Sequence, residues 1–154
     1  MYRIFLLFFL ALAFIGNQHT FAQSGQKIDK TKYAVLKWDK SYYYIFKTGK
    51  ATTLTNVEIN QIKVLLQKAV DKHNVTIKWA LNQTLPLSSY KIQIVPIINN
   101  KGQKEVWLNC FCDDEGDLWR KEIIEVDDGG NCFFNVKINL TLKTFYDLAV
   151  NGYA

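Results

Sequence analysis

Apolar residues recur at two different periods along the chain, and the change of period divides it into elements. Around residues 55–74 the period is helical. Thr55 stands as an N-cap and Glu58 follows three residues on, the pattern of a capping box. Leu54 and Ile59 flank that cap as a hydrophobic staple does. Ile59, Ile62, Leu66, Ala69, Val70 and His73 share one face, while Lys63, Gln67, Lys68, Asp71 and Lys72 fall largely elsewhere. His73-Asn74 is expected to end the helix, where a cation and a residue tolerant of left-handed backbone are favoured.

Elsewhere the pattern is that of strands. Tyr33–Trp38 and Ser41–Phe46 are rich in β-branched and aromatic residues, with a tight turn or bulge expected at Asp39-Lys40. After the helix, Val75–Leu81 reads as a short strand and Asn82–Ser89 as loop. Lys91–Ile98 reads as a strand whose Pro96 suggests an edge or bulge. Asn99–Gly102 makes a hairpin turn into a strand over Glu105–Cys112. An acidic loop, Asp113–Asp117, precedes a strand over Leu118–Val126. Asp127-Asp128-Gly129-Gly130 is a hairpin turn needing positive φ. Asn131–Asn139 alternates, with Cys132, Phe134, Val136 and Ile138 facing one way. Phe145–Val150 closes the series, with Asn151-Gly152 as terminator.

A helix apolar on one face needs an apolar surface to lie on, and an antiparallel sheet with one buried face supplies it. The fold class is therefore α+β in two layers, one long helix on a twisted antiparallel sheet. The order is similar to that of cystatin-like folds, which implies architecture and no activity. The alternative is a small β-sandwich with the helix across one end.

The first 22 residues stand apart. Arg3 precedes an unbroken apolar run, Ile4–Ile15, followed by polar residues and then Thr20, Phe21 and Ala22. This is the order of a secretory signal peptide cut after Ala22. Twelve apolar residues fall short of the ~20 that span a bilayer. The domain organisation expected is a signal peptide at 1–22, a flexible N-terminus at 23–32 and a single domain at 33–154, secreted or periplasmic, with no membrane span after cleavage.

Composition and charge narrow the classes further. Hydrophobic types make up 49% of 154 residues and charged types 21%. That excludes disorder, collagen, coiled coil, a multi-span membrane protein and a disulfide-dense miniprotein. The net charge of +5 is unevenly spread: residues 23–104 carry 14 lysines against four acids, and residues 105–154 carry four basic residues against ten acids. The two halves are expected to complement each other within one fold. Lysines alternating with Tyr33, Trp38, Tyr42, Tyr43, Tyr44 and Phe46 are likewise read as a sheet with one wet face. Nucleic acid is not an expected partner of an exported chain.

Two stretches carry a resemblance. Trp107-Leu108-Asn109-Cys110-Phe111-Cys112 and Asp127–Leu140, which reads DDGGNCFFNVKINL, together with the closing Asn151-Gly152-Tyr153-Ala154, resemble a group of small secreted bacterial proteins described only as uncharacterised. The resemblance implies export from a bacterial cell and no reaction.

Candidate chemistry is sparse. Cys110 and Cys112 lie two apart, on one face of a strand and poorly placed to bridge. In a simple meander Cys132 opens a strand two along, beyond the ~7 Å Cα separation that a disulfide tolerates. Free thiols filling the sheet faces are thus expected, with a single disulfide to Cys132 as the alternative. Cys-x-Cys is not a zinc knuckle, so a site built from the cysteines and His73 is not expected. Asp113, Asp114, Glu115 and Asp117 form an oxygen-rich loop but lack the EF-hand spacing, and a solvated turn explains them. No cofactor motif is present.

The expected function is that of an exported, non-enzymatic binding domain for a protein or small ligand of the cell envelope. Trp107, Phe111, Phe133 and Lys137 would form its surface on the sheet face opposite the helix. The alternative is a small hydrolase or thiol enzyme, which requires at least two of Cys110, Cys112, Asp113, Asp117 and His73 in one pocket.

Overall fold

The computed structural model describes residues 28–77, 83–112 and 116–152. The expected signal peptide and most of the acidic loop lie outside them. Among the described residues there are six strands and one α-helix: β1 (Tyr33–Val35), β2 (Lys50–Ala51), α1 (Asn56–Thr76), β3 (Lys91–Ile98), β4 (Lys104–Phe111), β5 (Phe133–Asn139) and β6 (Thr144–Val150). The class is α+β. The sheet runs β1-β3-β4-β5-β6, with β2 also on the free side of β3. β1 runs parallel to β3 and every other pairing is antiparallel, so the sheet is mixed and not wholly antiparallel as expected.

The helix begins as its cap dictates. Glu58 N donates to Thr55 Oγ1 at 3.2 Å, and Glu58 Oε2 accepts from Thr55 N at 2.7 Å. Lys104 of β4 adds an ion pair to Glu58 at 2.6 Å, tying the cap to the sheet. Partial burial pushes the Glu58 carboxyl up, but hydrogen bonds from Lys104 and Thr55 and the Lys104 charge outweigh it, leaving the pKa below the ordinary value. The helix runs past His73-Asn74 to Thr76, so Val75 and Thr76 are helical, not strand; residues 78–82 lie outside the described residues. Asn74 instead anchors the following loop, exchanging hydrogen bonds with the Leu85 N–H and carbonyl at 2.9 and 3.2 Å.

Ile62, Leu65, Leu66, Ala69 and Val70 pack on Ile92, Ile94, Val106, Leu108, Cys110, Phe134, Val136 and Ile138. These are alternate positions of three central strands, as a period of two requires. Pro96 sits where its missing N–H costs least. Ile92 and Ile94 turn their backbone groups toward β1, and by the same alternation Pro96 faces the break between β1 and β2. Its carbonyl accepts from Thr52 N.

Two expected strands are irregular chain instead. Ser41–Phe46 forms consecutive turns, begun by Asp39, whose side chain accepts from Ser41 N at 2.9 Å. Leu36, Trp38, Ile45 and Phe46 from this region cover Val95, Ile97 and Trp107 on the sheet face away from the helix. Leu118–Val126 contains one 3₁₀ turn, Leu118–Arg120, and no strand. Trp119 from this segment is 1% exposed and packs with Phe111, Phe133 and Ala34. The sheet therefore has a third, irregular layer on its outer face, which a two-layer reading lacks.

Because 118–126 does not enter the sheet, β4 and β5 are direct neighbours, with Phe111 opposite Phe133. Cys112 and Cys132 then fall opposite each other, 5.1 Å apart at Cα, and form a disulfide. The expectation of free thiols is corrected accordingly; only Cys110 is free, buried beneath the helix. Cys132 belongs to a 3₁₀ turn, Gly130–Cys132, and packs with Phe133's cluster, not with Phe134. Asp127–Gly130 is a turn, with φ of +88° at Gly129 and +58° at Gly130, but it joins no two strands.

Candidate functional site

The outer face of the sheet is organised in cross-strand rows. One row is Val95, Trp107, Lys137 and Tyr146; the next is Gln93, Asn109, Asn135 and Ala149; the third pairs Phe111 with Phe133. A row of carboxamides thus lies between two rows rich in apolar rings.

The first two carboxamides hold the irregular layer. Gln93 Nε2 donates to the carbonyls of Trp119 and Glu122, each at 2.6 Å. Gln93 Oε1 accepts from Ile124 N and from Asn109 Nδ2, both at 3.0 Å. Asn109 Nδ2 also donates to the Ile124 carbonyl at 2.7 Å. Both amides are buried, and a buried amide is tolerated where it is paired in this way. They stand in for the strand neighbour that 118–126 lacks.

Between the two covering segments a groove of about 460 Å³ remains open. Trp107, Phe133, Asn135 and Lys137 border its floor, Tyr44 and Ile45 one side, and residues 124–127 the other. The Tyr44 hydroxyl donates to Glu125 and so bridges the two sides. Burial, and then the Glu125 bond and charge, push the Tyr44 phenol up. Lys137 Nζ lies 3.2 Å from Asp147 Oδ2, and 5.7 and 5.9 Å from the ring centres of Phe46 and Tyr146. A bulge where β5 meets β6 brings Asp147, at φ +50°, to the groove. Asn151 closes one end, donating to the carbonyls of Val126 and Asp128.

The four residues expected to form an exposed surface are thus placed differently. All lie on the outer face, but Phe111 is fully buried against Trp119, and Trp107 and Phe133 are 8% and 7% exposed. The irregular layer covers them, and the exposed aromatic platform does not exist. Trp107, Phe133 and Lys137 nonetheless meet at the groove; Phe111 does not reach it. Gln93, Asn109, Asn135, Tyr44 and Glu125 were not expected. For Gln93 and Asn109 the one sequence signal is a lone carboxamide in a strongly apolar strand; Asn135 shares its strand with Asn139, and Tyr44 and Glu125 carry no such signal.

The residues of the enzyme alternative are dispersed. Cys110 is buried under the helix, where burial pushes its thiol up. Cys112 is bonded to Cys132. His73 borders a separate shallow pocket between α1 and β6. Asp117 is exposed beside Arg120, and Asp113, Asp114 and Glu115 lie outside the described residues. Among the described residues no cluster of three candidate ligands can hold a metal, and no helix is long and apolar enough to cross a membrane. Comparison of the chain with protein-family models, with curated proteins and with solved structures finds no match to any of them.

Proposed function

We propose that the chain is an exported binding domain that seats a ligand of the cell envelope, protein or small molecule, in its outer-face groove. The observation that carries this reading is the groove itself, an opening between two covering segments with Trp107, Phe133 and Lys137 at its floor. Such a concave site, where apolar rings meet several convergent polar and charged groups, is a form that binding pockets take, because clefts with placed polar groups are where ligands are oriented. Export is supported by the basic, apolar and small-residue order of residues 1–22 and by a disulfide that an oxidising compartment favours. The cystatin-like arrangement is supported by β2, α1 and the strands that follow, and it brings no activity with it.

The test has two parts. Cell fractionation should find the chain in the periplasm or medium with Gln23 as its first residue; a chain kept in the cytosol with its leader intact refutes export. The groove is tested by following the Trp107 indole resonance during titration with fractionated envelope extract. A fraction should shift it in the native chain and not in Ala149→Trp, which fills the groove from an exposed position. Equal shifts in both proteins refute the groove as the seat.

A further inference from the structure

The carboxamide row indicates what the groove takes, given the reading that the groove is a binding seat. Besides bonding each other, Gln93 and Asn109 bind main chain on this face, donating to three carbonyls and accepting from one N–H of the irregular segment 119–124. Asn135 is the next member of the same row, directly opposite Asn109. It is half-buried at the groove floor, and among the described residues its carboxamide makes no side-chain hydrogen bond. A carboxamide offers both a donor and an acceptor, which is what one peptide group needs. On either side of Asn135 the largely buried Phe133 and Trp107 rings contribute their edges to the groove floor, which leaves the Asn135 carboxamide as the amide-bonding group there. Bonding to main-chain groups is a recurring basis of peptide recognition.

Charge selects among peptides. Glu125, Asp127 and Asp147 border the groove against the single ammonium of Lys137, although the chain as a whole is basic. A cationic ligand complements that field.

We propose that the groove seats a basic peptide segment, one peptide group of which is held by the Asn135 carboxamide as Gln93 and Asn109 hold the protein's own residues 119–124.

The experiment uses the full, oxidised chain and an array of acetylated, amidated hexapeptides of randomised sequence. Lys and Arg should be enriched at least fivefold over Asp and Glu among bound peptides. Methylating the central backbone nitrogen of the best binder should weaken it about tenfold. Asn135→Leu should weaken the unmethylated peptide to a similar degree and make methylation inconsequential. Because Asn135 supports no other side chain, this variant should retain the native melting temperature. Binding without a basic preference, or a methylation loss that persists unchanged in Asn135→Leu, overturns the proposal. Chitotriose is the control for an amide without a peptide chain: if it shifts Trp107 and no peptide does, the peptide reading falls while the groove stands as a seat. If no hexapeptide binds, the proposal is likewise overturned, and a native shift lost in Ala149→Trp still supports the broader binding function.

Discussion

Gln93 is the side chain on which the outer layer most depends, and its removal gives a quantitative test of how that layer is held. Gln93→Leu preserves the approximate volume but deletes four hydrogen bonds, those to the Trp119 and Glu122 carbonyls, the Ile124 N–H and the Asn109 amide. At about 1 kcal/mol net per bond, the loss is about 4 kcal/mol. A leucine side chain in this fully buried site returns roughly 1.5 kcal/mol of apolar transfer energy. The expected net destabilisation is therefore about 2–3 kcal/mol, read as a lower urea midpoint. The loss should also be local. Hydrogen exchange at the Ile124 amide should accelerate far more than exchange in the middle of α1, because the released segment can leave the sheet before the helix does. An unchanged midpoint together with unchanged Ile124 exchange would mean that Trp119 packing alone holds the layer, and the account of the carboxamide row would fail.

Three further outcomes follow from the helix, the disulfide and the cap. Leu66→Ala, 1% exposed beneath the sheet, should cost about 2–5 kcal/mol, Thr55→Ala about 1 kcal/mol and exposed Lys68→Ala almost nothing, in that order of melting temperature. Equal melting for Leu66→Ala and Lys68→Ala would contradict the docking of α1. Cys132→Ser opens a loop closed across a sequence separation of 20, which should cost about 3 kcal/mol by chain entropy; denaturant titration of the variant against the oxidised chain checks it, and an unchanged midpoint would refute it. Glu58 has a folded pKa below its unfolded one, so its contribution is present above the unfolded value of about 4.5 and is lost as pH falls through the folded pKa. The stability gap between the native chain and Glu58→Gln should close over that acid range, and a gap constant with pH would refute the role of the carboxylate.

What the sequence determined by itself were the elements whose signal is local. The capping box is a matter of residues three apart, and it forms as written. Lys91–Ile98 and the Asn99–Gly102 turn are equally local, since the β-branched run and the turn residues lie within one hairpin; the turn is closed by Asn99 Oδ1 accepting from Lys101 N and Gln103 N. The helix face was legible because burial repeats at i, i+3 and i+4.

Tertiary structure decided the outer layer, and with it the site. Leu118–Val126 has the apolar content of a strand, but it begins with a local 3₁₀ turn, and the carbonyls of Trp119, Glu122 and Ile124 and the Ile124 N–H find their partners on the side chains of Gln93 and Asn109, outside the segment. No local pattern marks such a pairing. Its consequences spread: with that segment out of the sheet, β4 meets β5, Cys112 meets Cys132, and Trp107 and Phe111 are covered. The groove exists because the two irregular segments on this face, although bridged by Tyr44 and Glu125, leave part of the sheet uncovered, and Asn135 lies in that space. Periodicity tells which side of a strand is apolar; only the packed chain tells what covers it, because covering is a contact between residues that the sequence holds apart.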